Sequence, residues 1–299
     1  MGTGRVLVVG GDGMVGGHLV RRLAARSVPQ LSSTRRAGAG PGRPLIDLGA
    51  GEWPPLRTLD VTAIVICAAV ARLADCAHDP AGSARVNVEG PARLAAEAAG
   101  LGIPTLYLST DKVFDGTVPH RAATDARCPQ SAYGTQKAAA EAAILALPHT
   151  AVLRLSKVVR PDEPLLAGWA ASLRRGDPVT PFTDLHLAPV PVDLVCAAIE
   201  GIVERGGTGI WQISGPRDIT YADAALHLAR RMGADEGLVR PVGGQAAAAI
   251  GGGPPSPHTT LDSTRVAAEL GITVPGPFQV LDEMIRQGGH AVLDRGLGG

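Results

Sequence analysis

Apolar residues in this chain fall into short unbroken runs, separated by longer stretches in which apolar and polar positions mix. Residues 5–10 (Arg-Val-Leu-Val-Val-Gly), Thr62 to Ala69, Pro104 to Ser109 and Thr150 to Ser156 are such runs, each of strand length. A strand with one wet face alternates apolar and polar residues, whereas a strand covered on both faces does not, so these runs predict a parallel sheet buried between helices. The intervening pattern predicts an amphipathic helix over Met14 to Arg26, one long crossover helix over Asp79 to Gly100 and another over Ser131 to Leu147. Strand and helix in alternation give an α/β fold, a doubly wound parallel sheet of Rossmann type, over residues 1–156. Beyond residue 156 the regularity fades. Pro161, Pro164, Pro178, Pro181, Pro189 and Pro191 break the pattern and predict loops and short strands, a smaller C-terminal substrate-binding region over 157–299. Within it, about 190–214 is expected to return to the main sheet, through a helix at Val192 to Glu204 and a strand at Gly209 to Ile213. The uncharged Ala/Gly/Pro-rich stretch Gly243 to Pro257 reads as a surface loop.

Composition narrows the function classes. The 299 residues are 45% hydrophobic, enough for a substantial core, and carry 28 basic and 28 acidic residues. A chain of zero formal charge without a basic stripe is not expected to bind a nucleic-acid polymer or an anionic membrane. No apolar run approaches the roughly 20 residues that span a bilayer. Met1-Gly-Thr-Gly-Arg5 leads directly into the first strand without an export-signal pattern. Cys67, Cys76, Cys128 and Cys196 are widely separated, which disfavours a disulfide framework and a zinc site alike. The expectation is a cytoplasmic protein with no metal.

Two motifs carry chemistry. Gly10-Gly-Asp-Gly13-Met14-Val15-Gly16 lies on the turn from the first strand to the first helix. There, glycines let the backbone approach a pyrophosphate and the helix N-terminus offers free N–H groups, the arrangement of a dinucleotide site. The second strand runs into Thr34-Arg35-Arg36, where an NAD-selective site carries an acid, so NADP(H) is the expected cofactor. The second motif is Tyr133-Gly-Thr-Gln-Lys137 at the start of a helix, a spacing that puts phenol and ammonium one turn apart on one face. The expected effect of the cation is to lower the phenol's pKa toward neutrality. Ser109 and Thr110 end the run that begins at Pro104, at the strand edge where open α/β sheets hold their ligands, and complete a Ser/Thr-Tyr-Lys set.

With these residues in place, the chain resembles the extended short-chain dehydrogenases/reductases, and Ser109-Thr-Asp-Lys-Val-Phe-Asp-Gly116 resembles the S-T-D-Y-V-F-D-G signature of the dTDP-4-dehydrorhamnose reductase family. Cys67-Ala-Ala69, Asp79-Pro80 to Val86-Asn87-Val88, Leu153-Arg154-Leu155-Ser156 and Thr260-Leu261-Asp262-Ser263 resemble further segments of that family. The resemblance implies that Tyr133 donates a proton, that Lys137 binds the nicotinamide ribose, and that Thr110 positions the substrate carbonyl with Ser109 beside it. It also implies an adenine-side contact at Asp47-Leu48 and a backbone edge beside the cofactor at Ala68-Ala69. The function so implied is NADPH-dependent reduction of a keto group on a 4-keto-6-deoxy nucleotide sugar. The partner is then a small-molecule substrate, with a homodimer among the assemblies the pattern allows.

The chain departs from that pattern on the substrate side. Lys112 stands where the signature has tyrosine, Val70 where an aromatic follows the alanine pair, and Leu185-His186-Leu-Ala-Pro189-Val190 where the family has Q-x-G-x-P-T. Val70, Ser109, Lys112 and His186 are therefore the candidate substrate contacts, and Arg72 is a looser one. Two alternatives remain open: a reductase of a non-sugar ketone in secondary metabolism, and a non-catalytic NADP-binding regulatory subunit.

Overall fold

The computed structural model describes residues 4–36, 38–243 and 256–293. Six strands form the main sheet: β1 (Arg5–Val9), β2 (Gln30–Ser32), β3 (Val61–Ile66), β4 (Thr105–Thr110), β5 (Thr150–Leu155) and β9 (Gly209–Ile213). Their order is β2-β1-β3-β4-β5-β9, and every pairing is parallel. Successive side chains divide between two cores. Val8, Val65, Leu106 and Leu153 pack toward α1 (Met14–Ala25) and α7 (Val192–Glu204). Leu7, Ile64, Tyr107 and Val152 pack toward α4 (Gly90–Gly100) and α5 (Ala132–Leu145). With both faces occupied, the unbroken apolar runs of the sequence are explained.

The crossover from β3 to β4 is less simple than one helix. A separate α2 (Leu73–His78) comes first, then α3 (Pro80–Ala84), a π-helical stretch over Arg85–Glu89, and α4 in direct continuation. Pro91 supplies a reason for the irregularity, because it has no N–H to offer the carbonyl of Asn87 four residues back. That carbonyl instead accepts a hydrogen bond from the Tyr107 hydroxyl at 2.9 Å. The wider turn leaves Asn87 fully buried with its amide facing the end of β3.

The smaller region holds two short ribbons and a helical layer. β6 (Val158–Val159) pairs with β8 (Val190–Pro191), and β7 (His186–Leu187) pairs antiparallel with β10 (Ile219–Thr220). Pro164 does not interrupt structure here as the sequence pattern suggested. It opens α6 (Pro164–Arg174), a position where a missing N–H is harmless. α6 packs on α8 (Tyr221–Met232) through Leu173, Ala225, Leu228 and Ala229. Most of the stretch expected as a surface loop, residues 244–255, lies outside the described residues. No helix among the described residues is long and apolar enough to cross a membrane.

Candidate active site

In the strand order β2-β1-β3-β4, the chain runs outward from β1 in both directions, which opens a crevice at the C-terminal ends of β1 and β3. The glycine motif and Ala68-Ala69-Val70 meet in that crevice. Gly10 has φ +90°, and a β-carbon there would lie 2.7 Å from the Ala68 nitrogen. A β-carbon at Gly16 would lie 2.3 Å from the Gly10 carbonyl oxygen, so the turn closes only because both residues lack one. Gly13 caps α1 with no side-chain hydrogen bond, and the first turn of the helix carries no acid. Met14 and Val15 begin the helix, whose N–H groups stay open to an anion.

Val70 is held by Asn87, whose Oδ1 accepts from the Val70 N–H at 2.8 Å and whose Nδ2 donates to its carbonyl at 2.9 Å. Asn87 also donates to Gln136 of α5 at 2.8 Å, tying the crevice edge to the helix that bears Tyr133 and Lys137. It was legible only as part of the family-like segment, because no local pattern marks a polar residue in a widened helical turn.

Tyr133, Lys137 and Thr110 gather at the end of β4. Ser131 caps α5 through the Gly134 N–H at 3.1 Å, placing Tyr133 in the first turn and Lys137 one turn later. Lys137 is 2% exposed; its Nζ donates to the Leu108 carbonyl at 2.6 Å and lies 3.8 Å from the centre of the Tyr107 ring. Burial lowers its pKa to about 7, against the opposing charge of Glu141. For Tyr133 the direction is the reverse of the one expected from the sequence. Burial raises the phenol's pKa and the Asp111 carboxylate raises it further, while the Thr110 hydroxyl works weakly the other way. The lysine is deeply desolvated and its Nζ points to the Leu108 carbonyl and the Tyr107 ring, so it does not act as the expected acidifying cation.

Thr110, 7% exposed, donates to Asp111 Oδ1 at 2.9 Å and accepts the Lys112 N–H at 3.2 Å. Ser109 is 5% exposed and its hydroxyl makes no hydrogen bond among the described residues, a buried polar group left for a ligand to satisfy. Lys112, which stands at the signature's tyrosine position, is ion-paired, its Nζ lying 3.1 Å from Asp111 Oδ2. His186 lies in the β7–β10 ribbon opposite Thr220, its Nδ1 buried with no hydrogen-bond partner among the described residues.

The end of β2 also differs from expectation. Thr34 is buried and donates to Asp12 Oδ2 at 2.6 Å, and Arg43 pairs with the other Asp12 oxygen. An acid therefore does stand beside the second strand, contributed by the glycine turn and covered by Arg43. Arg35 and Arg36 are exposed, and the Arg36 charge helps to keep the Asp12 carboxyl below the usual carboxylate range, after the Thr34 and Arg43 hydrogen bonds. Asp47 Oδ1 closes its own turn by accepting from Gly49 and Ala50, and Leu48 is buried in the core against Gly90.

Beside the glycine turn opens a cleft of about 830 Å³ to which Arg21, Arg72, Lys157 and Arg160 contribute. Lys157 and Arg160 are each 3.4 Å from an acid, Glu163 and Asp162, whereas Arg21 and Arg72 have no acidic partner among the described residues. Lys157 and Arg160 escaped the sequence reading although they follow β5 at the ligand-bearing edge of the sheet. Arg43 could not have been read from sequence at all, being thirty-one residues from its partner. The uncapped helix, the glycine cradle and the unpaired cations fit the diphosphate of a dinucleotide.

A family model described as the RmlD substrate binding domain matches residues 4–288. The dTDP-4-keto-6-deoxy-D-glucose reductase of Streptomyces niveus is 29% identical, covering 91% of this chain and 92% of that protein. A dTDP-4-dehydrorhamnose reductase of Streptomyces griseus is 31% identical over 79% of each. The crystal structure of a dTDP-4-dehydrorhamnose reductase from Bacillus anthracis in complex with NADP matches the fold with a TM-score of 0.82 at 15% identity, over 95% of this chain and 99% of that one.

Proposed function

Because the chain belongs to the RmlD substrate-binding-domain family, within the dTDP-4-dehydrorhamnose reductase-like extended short-chain dehydrogenases/reductases, we propose that it reduces the keto group of a 4-keto-6-deoxy nucleotide sugar with NADPH. The observation that carries this reading is the gathering of Thr110, Tyr133 and Lys137 beside an uncapped glycine turn, at one edge of one sheet.

NADPH, when bound, supplies the hydride that adds to the carbonyl carbon. The glycine turn and the N–H groups of α1 bind the diphosphate, with Arg21 and Arg72 adding charge. Exposed Arg35 and Arg36 meet the 2′-phosphate, and Arg43 keeps Asp12 from repelling it. Lys137, one of whose three N–H donors is used by the Leu108 carbonyl, has donors left for the nicotinamide side of the cofactor. Tyr133 remains a phenol at neutral pH because burial disfavours the phenolate, so a proton is always available for the oxygen as the alkoxide forms. Thr110 donates to that oxygen once its hydroxyl turns from Asp111, and Ser109 offers a second free hydroxyl beside it. One ketone, one NADPH and one proton give one alcohol and NADP⁺.

The test is NADPH oxidation with a panel of thymidine-linked 4-keto-6-deoxy sugars and non-sugar ketones, each product being identified. Turnover confined to the nucleotide sugars supports the reading; turnover confined to simple ketones, or tight NADPH binding without turnover, overturns it.

A further inference from the structure

Tyr107 of β4 is fully buried, in register with Ile66 of β3 on one side and Val152 of β5 on the other. Both ends of its side chain are engaged. Its hydroxyl donates to the Asn87 carbonyl at 2.9 Å, the group that Pro91 leaves without an N–H, and the centre of its ring lies 3.8 Å from Lys137 Nζ. The ammonium is thus seated against the ring and against the Leu108 carbonyl, which accepts from it at 2.6 Å. Ring and carbonyl belong to adjacent residues of one strand, so β4 supplies both parts of the seat.

The other groups that act on the ammonium carry little free charge. Glu141, one turn along α5, is fully buried, and its carboxylate is taken up by Arg154 at 2.8 and 3.0 Å and by Arg127 at 3.3 Å. Cys67 beyond β3 and Cys76 on α2 are neutral thiols, and Tyr133 on the same helix is a neutral phenol, since burial suppresses the ionisation of all three. Lys137 is itself 2% exposed, so water hardly solvates its charge. The negative face of an aromatic ring attracts a cation most strongly where water is excluded.

We propose that Tyr107 is a positioning residue for Lys137, its ring carrying the ammonium through a cation–π contact that keeps the lysine charged and in place. The proposal deepens the function read above, since it matters to turnover only if Lys137 serves the cofactor. A cation–π contact favours the protonated lysine, so a ring with a weaker negative face should let Lys137 lose its proton at lower pH.

The test labels the full chain with carbon-13 at lysine Cε and follows its titration by NMR without cofactor. The sequence has three lysines, Lys112, Lys137 and Lys157, and the Lys137 signal is the one lost in Lys137→Met. Native protein is expected to titrate at about 7. Tyr107→Phe keeps a ring in the core and is the reference for replacement of Tyr107 by 3,4,5-trifluorophenylalanine, in which fluorine withdraws electron density from the ring face at nearly constant shape. The fluorinated protein should titrate about one pKa unit below Tyr107→Phe. Equal midpoints, or a higher one with the fluorinated ring, overturn the proposal. Calorimetry with NADP⁺ then reads the consequence: the fluorinated protein should bind about fivefold more weakly than Tyr107→Phe at pH 7 and nearly equally at pH 5, where both lysines are protonated. An NADP⁺ affinity that ignores the two midpoints removes Lys137 from the cofactor site, while the lysine titration still decides the role of Tyr107.

Discussion

The two ends of the crevice work by opposite means. At the β4–α5 end the groups proposed to react are buried: Lys137, Thr110 and Ser109 are each less than a tenth exposed, and desolvation moves Tyr133 upward and Lys137 downward in pKa. At the glycine end, Arg21, Arg35, Arg36 and Arg72 are exposed, and what matters is unpaired charge and backbone shape. Proton chemistry needs a group whose ionisation the protein controls, which burial provides. Anion capture needs charge that costs little to keep ionised, which solvent provides. Substitutions at the first end should therefore alter turnover and its pH dependence, and those at the second should alter affinity and its salt dependence.

The largest expected effect is at the buried end. Tyr133→Phe removes the proposed proton donor and should lower turnover by about 100-fold or more, with NADPH affinity nearly unchanged in a calorimetric titration. A comparable loss of affinity would mean that the two ends are not separable. At the glycine end, Gly10→Ala forces a β-carbon against Ala68 at a positive φ, a strain of about 1–3 kcal/mol. We expect a lower Tm and NADPH binding weakened by roughly tenfold, read from thermal melts with and without cofactor. Arg72→Ala should weaken NADPH binding several-fold to about tenfold, and the deficit should shrink as salt rises. A deficit independent of ionic strength would show that Arg72 acts through packing.

The last effect concerns stability. Lys137 has a folded pKa of about 7, below that of the unfolded chain, so between these values the unfolded state binds more protons. Wild-type stability should rise relative to Lys137→Met as pH increases from about 7 toward about 10, where the unfolded lysine loses its proton. Denaturant midpoints of both proteins across that range check the sign.

Much of this contrast could be read from the chain. The apolar runs located β1, β3, β4 and β5, and the motif spacing placed Tyr133 and Lys137 on one helical turn, because strand burial and helical periodicity are local properties. Residues 192–204 and 209–213 formed the helix and strand expected of them. Features that depend on contacts between distant segments were not legible. The widened helical turn at Asn87 follows from Pro91 acting together with Tyr107 on the next strand. Asp12 meets Thr34 and Arg43 only after the chain has folded back. Lys137 was legible as the phenol's helical neighbour, but its burial and its turn toward the Leu108 carbonyl depend on how β4 packs on α5.

The most direct measurement uses NADPH carrying deuterium at its transferable position with a thymidine-linked 4-keto-6-deoxy sugar, the product being analysed by mass spectrometry and NMR. The account predicts one deuterium on the former keto carbon with native protein, and product falling by about 100-fold with Tyr133→Phe despite full cofactor binding. Native protein that binds both ligands yet transfers no deuterium, or a phenylalanine variant that transfers it at the native rate, would contradict it.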